Sequence, residues 1–176
     1  MPLPHIQKSV YHICGSGSIG DIEAGSRQRT NVKQLAHTLV SHGEYTLADE
    51  VFRWVLARDE KFLGKENQIT LYTVYFLATV AWNLGKYDDA LEWCGRALAE
   101  QEKSLGQDHS NTLATVHFTA KVLHDLGKYD EALEWYTRAL SGQEKKSLSK
   151  DHLDTLSTIH SMANVFRDQR KYDEAL

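Results

Sequence analysis

The chain repeats itself every 42 residues. Leu71 to Thr112 reads LYTVYFLATVAWNLGKYDDALEWCGRALAEQEKSLGQDHSNT, and Leu113 to Thr155 reads LATVHFTAKVLHDLGKYDEALEWYTRALSGQEKKSLSKDHLDT. The two share G-K-Y-D, A-L-E-W, R-A-L, Q-E-K and D-H at matched places. A fainter copy precedes them, with Gly43, Tyr45 and Ala48 standing 42 residues before Gly85, Tyr87 and Ala90. A truncated copy follows, from Leu156 through Lys171-Tyr172-Asp173-Glu174-Ala175-Leu176. A period of this length marks one supersecondary unit stacked on itself, because a single unit cannot bury its apolar face alone. Such a stack offers a binding surface rather than a reaction centre.

Each copy predicts helix, tight turn, helix. Leu113, Val116, Thr119, Ala120 and Leu123 recur at spacings of three and four, which puts them on one helical stripe. Val74, Leu77, Ala78 and Ala81 form the same stripe one copy earlier. Gly85 and Gly127 are placed to end these first helices in a left-handed conformation, where the lack of a Cβ costs least. Tyr87 and Tyr129 anchor the turn, and the second helix begins near Asp88 and Asp130, where acid suits the positive end of the helix dipole. That helix carries Ala90, Leu91, Cys94, Ala97 and Leu98, matched by Ala132, Leu133, Tyr136, Ala139 and Leu140. Its alanines let neighbouring helices approach closely.

This order of small and aromatic residues resembles the tetratricopeptide repeat. The 42-residue length and the link Leu105-Gly-Gln-Asp-His-Ser-Asn-Thr-Leu113 resemble its kinesin-light-chain-like subclass. The resemblance covers residues 29 to 176 and implies an all-α, right-handed α-solenoid. Its repeats fall at about 29–70, 71–112, 113–155 and a truncated 156–176, after a flexible leader at 1–28. Two departures stand out. Arg170 replaces the turn glycine of the last copy, at an expected cost of about 1 kcal/mol if that site is left-handed. One extra residue near Lys146 makes the third copy 43 long. The last copy stops inside its second helix with no polar capping element, so the chain reads as a fragment of a longer array. Phe166, Val165 and Leu176 are then left without a following repeat, and self-association through this uncapped end is expected.

Composition excludes several classes. A net charge of −4 with no Lys/Arg run lacks the footprint that nucleic acid or an anionic membrane requires. No apolar stretch approaches the roughly 20 residues that span a bilayer. The N-terminus has no basic region followed by an apolar one, as a secretory signal would. Two cysteines, Cys14 and Cys94, make no disulfide framework, and a cytoplasmic, reducing compartment is expected.

Candidate chemistry is sparse. Gly15-Ser-Gly-Ser-Ile-Gly20 spells GxGxxG, but a dinucleotide site also needs a second strand ending in an acidic residue. Asp21, Glu23 and Gly25 leave no room for one, so no cofactor is expected. Nine histidines raise the question of a metal. His109 and His152 are explained by repetition of one loop. His117 and His160 lie on successive first helices about 8–10 Å apart, too far to share an ion. His117 and His124 lack the i, i+4 spacing of a zinc helix, so no metal is expected. Cys94 stands where other copies have Phe52 and Tyr136, and reads as a small buried hydrophobe rather than a nucleophile. Glu92, Glu134, Glu100 and Glu102 read as a solvated outer face. No enzymatic activity is expected.

In the fold that the resemblance implies, the first helix of each copy lines a concave groove. The positions beside its core stripe are Tyr72, Tyr75, Phe76, Thr79, Trp82 and Asn83 in the second copy. In the third they are Ala114, His117, Phe118, Lys121, His124 and Asp125, and in the fourth Ser157, His160, Ser161, Asn164, Arg167 and Asp168. The first copy supplies Thr30, Lys33, Gln34, His37, Val40 and Ser41. Aromatic residues are hot-spot types at interfaces. The expected partner is therefore a protein or extended peptide. Its expected contacts are Tyr72, Tyr75, Phe76, Thr79, Trp82, Asn83, His117, Phe118, Lys121, His124, His160, Asn164 and Arg167. Repeats that clamp a C-terminal carboxylate use Lys, Asn and Arg at matched positions. Ala114, Phe76 and Phe118 stand in their place, which disfavours that ligand. The alternative is a sensor or assembly segment of a larger signalling NTPase, whose phosphate-binding loop would lie outside this sequence.

Overall fold

A computed structural model describes residues 22–145 and 153–175. Seven helices and no strand fall among the described residues. They are α1 (Ile22–Ser41), α2 (Tyr45–Leu63), α3 (Gln68–Asn83), α4 (Tyr87–Leu105), α5 (Ser110–Asp125), α6 (Tyr129–Lys145) and α7 (Leu153–Ala175). The chain divides into two compact units, Met1–Lys86 and Tyr87–Leu176, the first holding α1–α3 and the second α4–α7. Helix α1 begins at Ile22, ahead of Arg29 and inside the stretch read as a leader. The Gly15–Gly20 string and the extra residue near Lys146 lie outside the described residues.

The 42-residue register is visible in the backbone. Gly43, Gly85 and Gly127 take φ of 76°, 72° and 80°, and the second helix of each copy starts two residues on, at Tyr45, Tyr87 and Tyr129. At Gly127 the amide donates to the His124 carbonyl at 2.9 Å, and that of Lys128 to the Leu123 carbonyl at 2.9 Å. These bonds satisfy carbonyls that a helix end leaves open. The loops between copies also match. Asn67 caps α3 by accepting from the Ile69 amide at 2.9 Å, and His109 caps α5 by accepting from the Asn111 amide through Nδ1 at 3.2 Å. Thr70 and Thr112 then donate to the carbonyls of Gly64 and Gly106 at 2.8 and 2.9 Å.

The predicted core stripes are buried. Val74, Leu77, Ala78 and Ala81 are closed off in the first unit, as are Leu113, Val116, Thr119, Ala120 and Leu123 in the second. Phe52, Cys94 and Tyr136, three unlike side chains at one register position, are each at most 1% exposed. Helix α5 carries a second buried line, Thr112, Thr115, Thr119 and Val122. Two buried lines on one helix mean that it is packed on two sides.

The last copy departs from the pattern at Arg170. No left-handed turn forms there; α7 continues helically to Ala175. Adding residues to an existing helix is favourable, whereas a left-handed arginine costs about 1–2 kcal/mol. The truncated copy is therefore one long helix, not a helix and the start of its partner. One line of α7, Thr155, Thr158 and Val165, is buried, so Val165 faces inward rather than standing exposed at an uncapped end. The other line, Leu156, Ile159 and Phe166, is 47%, 47% and 56% exposed.

Candidate functional site

In the first unit, α3 presents a connected aromatic group. Phe76 lies at its centre, with its ring 4.4 Å from His37 on α1, 4.6 Å from Tyr72 and 5.9 Å from Tyr75. Beneath it, Phe52 of α2 stacks on Phe76 at 5.6 Å with an interplanar angle of 18°. His37 meets Phe52 edge-on at 5.5 Å. The hydrophobic floor is therefore Phe52, buried, and the solvent edge is Tyr72, 53% exposed. Edge-to-face contacts of this kind are worth about 0.5–1.5 kcal/mol each, which holds the rings in place before any ligand arrives.

The polar members of the same helix are turned back on it. Thr79 donates to the Tyr75 carbonyl at 3.1 Å, and the Asn83 side-chain amide donates to the Thr79 carbonyl at 2.8 Å. Both donors thus serve the helix. Trp82 is half-buried.

The second unit carries a separate, more polar face on α5 and α7. His117 packs edge-on to Tyr136 at 5.1 Å, and its Nδ1 lies 3.5 Å from the Thr158 hydroxyl. His124 Nε2 lies 3.2 Å from Asp168 Oδ2, and Arg167 Nε donates to Asp168 Oδ1 at 3.1 Å. The bond from Arg167 holds the Asp168 carboxyl below its ordinary value. Lys121 and Asn164 are half-buried, and His160 is exposed. Phe118 departs from expectation: at 8% exposed it belongs to the core and is not presented to a ligand. The face of α5 beside its core stripe is narrower than its register implies, because α5 is packed on two sides. Glu92 and Glu134 are exposed as expected, while Glu100 and Glu102 are half-buried and Glu102 pairs with Arg138.

Burial, then the neighbouring Lys121 ammonium, lowers the His117 pKa from 6.5; burial and Lys33 lower that of His37. The folded protein holds both imidazoles neutral at pH values where the unfolded chain would protonate them. Their contribution is complete above about pH 6.5 and diminishes as pH falls through the window below it. Denaturant titrations from pH 7.5 to 5 should show the midpoint falling, with a shallower slope for His117→Gln. An unchanged slope would mean that His117 carries no burial penalty.

Other chemistry is weak. Cys94 is fully buried, and burial pushes its thiol up to about 11, which suppresses the thiolate that a nucleophile needs. Among the described residues no three or more His, Cys, Asp or Glu side chains gather into a metal-binding group. No helix among them is long and apolar enough to cross a membrane.

The same architecture recurs in known proteins. The model of the tetratricopeptide repeat family matches residues 68–145 and 120–176, together more than half of the chain. A single-substitution form of a Podosopora anserina putative kinesin light chain with nearly identical TPR-like repeats is similar at 23% identity. It gives a TM-score of 0.74 over 97% of this chain and 78% of that one. A second structure of that protein gives 0.72 at the same identity and coverage. BtubC (BKLC) from P. vanneervenii is 16% identical, with a TM-score of 0.73 over 97% of this chain and 67% of its own. No curated protein matches the chain in sequence. At these identities the likeness is one of fold.

Proposed function

The chain belongs to the tetratricopeptide repeat family, an α-solenoid of protein-interaction repeats, and from that premise we propose that it is a non-catalytic scaffold holding an extended peptide or partner protein in its concave groove. The observation that carries this reading is the His37–Tyr72–Phe76 group. It is apolar at its base, open at Tyr72, and pre-formed by contacts among its own rings. A surface built this way gives an apolar side chain of a partner a rigid aromatic seat at small entropic cost. Within the second unit, by itself, His117, Lys121, His124, His160, Asn164 and Arg167 offer polar groups to a peptide's backbone and acidic side chains. Thr79 and Asn83 contribute through shape, their donors being engaged within α3. The reading places the protein in the cytoplasm.

The test begins with peptides selected from a random display library against the intact chain. Tyr72→Ala should weaken the selected peptides by about 2 kcal/mol or more, roughly thirtyfold, while costing the fold only the about 0.5–1.5 kcal/mol of its edge-on contact with Phe76. Glu92→Ala and Glu134→Ala, on the opposite helices of the repeats, should have no effect. Loss of binding in the glutamate variants with retention in Tyr72→Ala would move the working surface to the convex side.

A further inference from the structure

One register position on the second helices carries Asp59, Gln101 and Gln143 in successive copies, and all three side chains are buried. In the first copy a cation answers it. Lys33 Nζ on α1 lies 2.7 Å from Asp59 Oδ2 and 3.4 Å from the Ile69 carbonyl, and Thr73 of α3 donates to the same carboxylate oxygen at 2.8 Å. The ammonium thus joins two acceptors, a side chain of α2 and a carbonyl in the first turn of α3. The second unit repeats the acceptors but not the ammonium. Gln101 and Gln143 are each 5% exposed, and the Oε1 of each is closed off from solvent with no hydrogen-bond partner among the described residues. The threonines equivalent to Thr73 do not turn to them. Thr115 donates to the Asn111 carbonyl at 3.1 Å and Thr158 to the Asp154 carbonyl at 3.0 Å, each within its own helix. At the register of Lys33 the third copy has His117, a shorter side chain held edge-on to Tyr136 with Nδ1 3.5 Å from the Thr158 hydroxyl. Two equivalent oxygens left unpaired at one register point to a donor common to both, not to a local accident.

We propose that Gln101 and Gln143 each bind an internal water, in the place that the Lys33 ammonium takes in the first copy; the proposal rests on the fold and not on the groove reading. By the same register, the water bridges Gln101 Oε1 to the Asn111 carbonyl, and Gln143 Oε1 to the Asp154 carbonyl. A buried acceptor left unpaired costs its full desolvation, whereas a bound water costs only its immobilisation and returns hydrogen bonds to both acceptors. A small buried site lined by polar atoms holds water, while only apolar cavities stay dry. The ligand is neutral because the site is neutral. An amide and a carbonyl cannot balance a buried cation as the Asp59 carboxylate balances Lys33.

Magnetic relaxation dispersion of the water signal on the full chain counts waters that stay bound longer than the protein takes to tumble. Gln101→Met and Gln143→Met keep the side-chain length and remove the acceptor. Each should lower the count by one water, with helical circular dichroism unchanged. The reverse transfer combines Lys33→His with Asp59→Gln, which gives the first copy the residues of the third, and it should raise the count by one. A high-resolution crystal structure of the parent chain gives a reading that needs no variant: a water within hydrogen-bond distance of both glutamine oxygens. Threonine hydroxyls found on those oxygens instead overturn the proposal, as does a count that the folded methionine variants leave unchanged. A count unmoved by the transfer overturns the equivalence with the ammonium. Parent stability that rises with potassium or ammonium but not with sodium, and loses that dependence in the methionine variants, puts a cation at the site and overturns water as the ligand.

Discussion

Replacing Tyr136 with alanine lowers the stability of the second unit by about 3–5 kcal/mol, the range seen when a large buried aromatic is truncated. Tyr136 is 1% exposed and heads the fully buried side chains by size. It packs with Ala120 and Leu123 of α5, Ala132 of its own helix and Val165 of α7, with Met162 at the edge. His117 meets its ring edge-on. These neighbours come from three helices, so the cavity left by alanine cannot close by moving one of them. A domain of this size is stable by about 5–15 kcal/mol in all, and the loss is a large share of that. The hydroxyl contributes separately through a hydrogen bond with Ser161, and burial raises its pKa. Tyr136→Phe should therefore cost only about 1 kcal/mol. Urea denaturation of both variants gives the comparison, and equal losses would mean that the hydroxyl, not the ring, holds the site together. Because Val165 and Met162 lie in the same cluster, the alanine variant should also loosen α7.

Much of this core is legible before any coordinates. A line of apolar residues at three and four spacing identifies a buried helix face, and a repeat multiplies the evidence for it. Register alone puts Phe52, Cys94 and Tyr136 at one place, and all three are buried. The turn glycines read equally well, since few other residues tolerate their φ. What register cannot foresee is competition between local outcomes. At Arg170 the choice lay between a strained turn and more helix, and helix costs less. The candidate site suffers in the same way. Its positions follow from the first helix of each copy, but exposure is decided by what the neighbouring helices bring. Phe118 is drawn into the core, and Thr79 and Asn83 turn to their own backbone. His37 becomes a hub because Phe52 of α2 and Phe76 of α3 both reach it. No pattern within one helix carries that information.

Lys33 is the sharpest instance, and removing its charge should cost up to about 3–5 kcal/mol. Its register places it among the groove residues, yet its ammonium turns inward to Asp59 Oδ2 at 2.7 Å. The carboxylate is 1% exposed, and the same oxygen accepts a hydrogen bond from Thr73 at 2.8 Å. Three helices, α1, α2 and α3, thus meet at one charged contact. In Lys33→Met the buried carboxylate keeps the Thr73 bond but loses the Lys33 charge, and the penalty is that of a buried ion with less neutralising charge around it. Asp59→Leu in the same chain should restore most of the loss, because an apolar pair avoids the desolvation that the ion pair must overcome. Other copies of the repeat support this expectation. At the Asp59 position they carry Gln101 and Gln143, both buried and uncharged, so the architecture does not require an ion there. Chemical denaturation of the two single variants and the double variant makes a thermodynamic cycle. Coupling of several kcal/mol, with the double variant near the parent, is the expected result. If Lys33→Met is as stable as the parent, the ion pair does not neutralise Asp59 in solution, and Lys33 returns to the groove as a residue available to an acidic partner.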